Sequence, residues 1–209
     1  MYFAHPPHQK KILGIPTSDV EINDLFKAWL IVSIAFTVLH NGFSLNVGTL
    51  LILLLSAVTV GTGFLLHELA HKIVAQTYHC WAEFRADNMM LMLALFSSMF
   101  GFLFAAPGAV MIYGPHIDKR QNGIISVAGP LTNYVFALFF LLLLLFVQLP
   151  YIQAIASYGF LINSWIGLFN MIPFLHFDGA KIIKWNYFIW GAMICGGIGL
   201  LILKTILFA

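Results

Sequence analysis

Charge is what this chain lacks. Of its 209 residues only 9% are Asp, Glu, Lys or Arg, while 61% are hydrophobic. Soluble domains carry about a quarter charged residues, so the shortage excludes a soluble globular protein. The few charges are also bunched: none falls within 28–67, 88–117, 121–177 or 185–203. A membrane-crossing helix needs about 20 mostly apolar residues, so these gaps can hold five or six crossings. Cysteine is scarce too. Cys80 and Cys195 lie in different segments, imply no disulfide framework and are read as packing residues. The net charge of +2 comes from scattered single and paired basic residues, which is no footprint for nucleic acid. The N-terminus has no basic, apolar and small-residue succession of a signal peptide.

What is present is an ordered series of apolar runs. Residues 1–25 form a polar segment, expected on the cytoplasmic side. The runs 26–43, 47–78, 123–149, 151–175 and 185–208 predict spanning helices, with Asn41-Gly42 as a turn signal after the first. Between the second and third, residues 79–87 alternate like a strand, 88–106 is a shorter apolar stretch containing Ser97, Ser98 and Gly101, and 106–114 looks extended. The expected fold is therefore an all-α polytopic membrane protein. It comprises a bundle of five or six transmembrane helices with a short re-entrant or β element between the second and third strong spans. Residues 26–209 are read as a single transmembrane catalytic domain with its core at about 47–180.

The chemistry begins at residues 67–71, His-Glu-Leu-Ala-His. Ionisable groups at membrane depth are costly, and they mark functional sites by default. On a helix His67 and His71 lie one turn apart on one face, able to share a metal ion, with Glu68 beside it as a base. A catalytic zinc takes three protein ligands and keeps one position open. One further His at the metzincin spacing is missing, because position 77 is Thr77. Glu83 is the only Glu after Glu68 and sits in a polar stretch, which disfavours a thermolysin-like ligand set. Of the downstream Asp residues only Asp178 closes a long uncharged run read as a span, so Asp178 is the expected third ligand, with His176 a nearby competitor. One zinc ion is expected. A metal transporter using His67, His71 and Asp178 as a transit site is the rival from another class, although transit requires no base beside the first ligand.

Topology follows from the site. His71 and Asp178 must share a membrane face, yet three apolar segments separate them. One cannot cross, and the weakest is 88–106. The positive-inside rule agrees: with that segment folded back, Lys10, Lys11, Lys72, Arg85, Lys119, Arg120, Lys181 and Lys184 all fall inside, and Lys204 alone faces out. The active end is thus expected to face the cytoplasm, in a cell membrane.

Asn170-Met-Ile-Pro173-Phe-Leu-His-Phe-Asp178-Gly179 resembles the Asn-x-x-Pro-x-x-x-x-Asp-Gly pattern of the site-2 protease family of intramembrane zinc metalloproteases. That family pairs it with an upstream His-Glu-x-x-His, as here, and Gly129-Pro130-Leu-Thr-Asn133 is similar to its Gly-Pro-x-x-Asn element. The resemblance implies His67, His71 and Asp178 as zinc ligands, Glu68 as general base and Asn170 near the developing oxyanion. It also implies transmembrane protein substrates cut within or near the lipid bilayer, in a minimal form without PDZ or CBS domains. Asn133 is read as packing and local geometry rather than chemistry. Since a helical peptide bond is shielded, an unwound substrate could add as a strand to 106–114.

Overall fold

The computed structural model describes residues 10–12, 14–44, 46–104, 106–114, 117–174 and 177–208. His176 lies outside them. The chain runs β1 (Lys10–Ile12), β2 (Ile15–Thr17), α1 (Asp19–Asn41), α2 (Val47–Val60), a π turn (Gly61–Leu65), α3 (Leu66–Thr77), β3 (Trp81–Ala86), α4 (Asn88–Ser98), β4 (Gly108–Tyr113), α5 (Lys119–Phe146), α6 (Pro150–Phe169), α7 (Asp178–Trp185) and α8 (Tyr187–Leu207). Among the described residues five helices are long and apolar enough to cross a membrane: α1, the continuous helix Val47–Thr77, α5, α6 and α8. The protein is an all-α multi-pass membrane protein with two small antiparallel sheets.

The helix ends are written in short polar side chains. Asn46 and Thr49 cap α2 reciprocally, Asp118 and Gln121 do the same for α5, and Asn186 caps α8. These side chains accept the orphan N–H groups of a first turn. Two boundaries depart most from the sequence reading. The first helix starts at Asp19 rather than 26, because Ser18 accepts from the Glu21 N–H at 3.2 Å and Glu21 is itself buried. Its carboxylate takes Phe84 N at 3.1 Å and is paired with Thr17 Oγ1 and Lys72 Nζ. A charge so partnered no longer ends a helix. The fourth span stops at Phe169, short of 175, and the chain turns there.

Residues 88–107 make the fold-back. The 11 residues of α4 rise about 1.5 Å each, roughly half of a 30 Å hydrocarbon core. Asp87 N donates to Pro107 O at 3.0 Å, and β3 pairs with β4 from Ala86 opposite Gly108 to Trp81 opposite Tyr113. The excursion thus leaves and returns at one point. Helix α2 packs on α1 and α6, whereas α3 packs on α5 and β3. The two halves of one spanning helix therefore meet different neighbours, and the π turn is where the change occurs.

Candidate active site

The buried positions of α3 are His67, Glu68, His71, Lys72 and Ala75, a single stripe of the 3.6-residue period. That stripe faces α5 and the start of α7. His67 Nε2 and His71 Nε2 lie 3.0 Å apart, and Asp178 Oδ2 stands 3.3 Å and 3.0 Å from them. These three ligand atoms lie within 4.8 Å of one another and could hold a metal ion. All three residues are buried.

Asp178 arrives there because the chain doubles back after α6. Gly179 N donates to Asn170 O at 2.7 Å, and a Cβ at 179 would come within 2.2 Å of the Met171 carbonyl oxygen. Glycine is what lets the two backbones touch. Asp178 thereby sets its Oδ2 between the two imidazoles. Lys181 Nζ reaches the other oxygen, Oδ1, at 3.4 Å.

The outer nitrogens of both rings are committed. His71 Nδ1 is 2.7 Å from the Ile125 carbonyl and His67 Nδ1 is 2.6 Å from Asn133 Oδ1. Both partners are oxygens that accept, so each Nδ1 carries the hydrogen and each Nε2 turns its lone pair inward. Two lone pairs and a carboxylate oxygen then face one point, and only something positive there can hold them together: a proton or a metal ion. Space for it is left by Gly129, whose Cβ would lie 2.4 Å from His71 Nε2 and 2.6 Å from His67 Nε2. The donor set, two imidazoles and one carboxylate, suits zinc.

Glu68 and Asn170 sit where two spaces meet. A small pocket contains His67, Glu68, His71, Asn170 and Asp178, and a cavity of about 1020 Å³ also reaches His67, Glu68 and Asn170. The cavity runs past Phe36, His40, Tyr158 and Trp165 to Gly108 and Ala109 of β4. Asn170 Nδ2 gives one hydrogen to Ile166 O at 2.9 Å. Glu83, the disfavoured alternative ligand, is elsewhere, paired with Arg85 on β3. Sequence reading took Asn133 as packing; the structure places it on His67. The Ile125 carbonyl left no sequence signal, because any residue would supply it.

The chain is 43% identical over 162 residues, 77% of its length, to a protein of Methanocaldococcus jannaschii named "Putative zinc metalloprotease MJ0611", of which it covers 82%. It is 28% identical over 179 residues to "Zinc metalloprotease MJ0392" of the same organism, spanning 83% of this chain but 43% of that longer protein. No family model matches the chain, and no solved structure matches it significantly. With that identity and coverage, and five apolar spans around a His-His-Asp cluster among the described residues, the chain belongs to a site-2-protease-like family of membrane zinc metalloproteases.

Proposed function

We propose that this metalloprotease is an intramembrane endopeptidase that hydrolyses peptide bonds of membrane-spanning proteins within or near the bilayer, in regulated intramembrane proteolysis. The observation that carries the reading is the convergence of two inward imidazole lone pairs and one carboxylate oxygen beside Glu68, inside an apolar bundle. His67, His71 and Asp178 would hold one zinc ion. When bound, zinc supplies Lewis acidity, lowering the pKa of a water to about 7 and polarising a carbonyl. Glu68 takes the proton of the attacking water and returns it to the leaving amine. The second Asn170 Nδ2 hydrogen donates to the developing oxyanion.

The substrate class rests on where the space lies. The cavity is lined mainly by apolar side chains of α1, α6 and the segment that follows α4, and it reaches the glutamate. Beside it runs β4, which among the described residues pairs only with β3, leaving an edge to which an unwound peptide can add. His67 lies 20 residues beyond Val47 in its helix, roughly 30 Å at 1.5 Å per residue, which suits a site at the far edge of the hydrocarbon. The lysine and arginine distribution supports that edge being cytoplasmic, in a cell membrane.

The test is cleavage of a transmembrane substrate by purified wild type and Glu68→Gln in liposomes, with bound zinc measured in both. Glu68→Gln is expected to retain zinc and lose about 10²-fold to 10⁴-fold in rate, the usual worth of a general base. Equal cleavage by both proteins would reject Glu68 as base. Zinc transport by the wild type without proteolysis would reject the whole reading.

A further inference from the structure

A second asparagine stands behind the first. Asn133 on α5 and Asn163 on α6 are both wholly buried, in helices that pack against each other. Asn133 Nδ2 donates to the Gly63 carbonyl at 2.6 Å and to Asn163 Oδ1 at 3.2 Å, while Asn163 Nδ2 donates to the Gly159 carbonyl at 2.8 Å.

The direction of this chain is fixed by chemistry at its two ends. Backbone carbonyls only accept. The Asn163 group facing Gly159 must therefore be its NH2, so its oxygen faces Asn133. The Asn133 group facing both Gly63 and Asn163 must likewise be its NH2, so its oxygen faces His67. Turning either amide over would set donor against donor and acceptor against acceptor in a site without water contact. His67 Nδ1, opposite an oxygen at 2.6 Å, must then be the protonated nitrogen.

We propose that Asn163, acting through Asn133, is a positioning residue that fixes His67 in its Nδ1–H tautomer and so keeps the Nε2 lone pair on the metal point. Gly63 belongs to the π turn, so that turn supplies one anchor of the relay from the helix that bears the histidines. Such partners of a ligating histidine are typically worth about 10-fold to 100-fold in metal affinity. Asn133 makes the direct contact and carries the larger share. Asn163 occupies the second Asn133 hydrogen, which would otherwise be buried without an acceptor. The value for zinc rests on the metal reading above; the tautomer does not.

The experiment reads both. Long-range 1H–15N spectra of histidine-labelled, metal-free protein in nanodiscs report which His67 nitrogen holds the hydrogen, and chelator competition reports zinc affinity. Wild type is expected to show the Nδ1–H form of His67. Asn163→Leu, similar in size but without an acceptor, should populate both tautomers and weaken zinc about 10-fold. An Nε2–H tautomer in the wild type overturns the proposal, and needs no variant to fold. So does an Asn163→Leu protein indistinguishable from wild type in both readings. A wild type that binds no zinc would defeat the metal reading and leave the spectra to decide this one.

Discussion

Gly129→Ala separates the site from the scaffold. The added Cβ would sit 2.4 Å from His71 Nε2, 2.6 Å from His67 Nε2 and 2.6 Å from His71 Cε1, whereas ordinary contact begins at 3.4 Å. One ring or the other must therefore retreat by about 1 Å, the difference between ordinary contact and the 2.4 Å approach. Neither can do so freely. His71 is tied to Ile125 O at 2.7 Å and His67 to Asn133 Oδ1 at 2.6 Å, so movement breaks a bond that orients the ring. A misplacement of about 1 Å costs on the order of 100-fold in an active site. Zinc affinity is accordingly expected to fall about 100-fold, or roughly 2.8 kcal/mol at 1.4 kcal/mol per decade. The scaffold should change little, since the about 1 kcal/mol by which alanine is favoured over glycine in a helix interior offsets much of the cost of moving the ring. Chelator competition measures the first effect, and thermal unfolding followed by circular dichroism the second. Zinc binding within threefold of wild type would refute the claim that Gly129 keeps the metal point open. An unfolded variant would refute the separation of site from scaffold.

Asn170→Ala should lower kcat by about 10²-fold to 10³-fold with zinc retained, as loss of an oxyanion donor does; an unchanged kcat would remove Asn170 from the chemistry. Lys72→Met leaves the Glu21 carboxylate buried without its cation and should destabilise the fold by about 3–5 kcal/mol, and adding Glu21→Gln should recover most of that; a single variant as stable as wild type in thermal unfolding would count against the pair. Chelation should abolish cleavage, and titration back should restore it at one zinc per chain; recovery at two equivalents would require a second site. A lone cysteine at Lys119, an exposed position at the start of α5, should react with an impermeant maleimide only from the cytoplasmic face; labelling from outside would reverse the topology.

The features legible in the sequence are those that repeat or punctuate. Charge-free runs gave five helices, and Asn88–Ser98 was readable as too short to cross because its serines and the Ala-Pro-Gly that follow break it early. His67, Glu68, His71 and Asp178 were readable because each interrupts or ends an apolar run. The early start of α1 was also legible, as Ser18-x-x-Glu21 is a helix-start pattern, but counting Glu21 as a charge hid it. Other features depend on contacts between distant residues. Lys72 meets Glu21 across 51 positions, and nothing local marks the pairing. Asn163 is one of several polar residues in a mainly apolar helix, and it reads the same whether it packs or positions. The π turn escapes because nothing in the uncharged run 47–66 marks an extra residue.

That turn has a consequence for how the protein can vary. A π turn accommodates an extra residue, and each residue of a helix advances its faces by about 100°. Helix Val47–Thr77 is in effect two helices in series, with their faces set independently. Removing one residue from Gly61–Leu65 would restore an unbroken α-helix, and His67, Glu68 and His71 would swing together about a quarter of a circle from α5. Every residue of the motif would survive such a deletion. Its alignment with Asp178 would be lost.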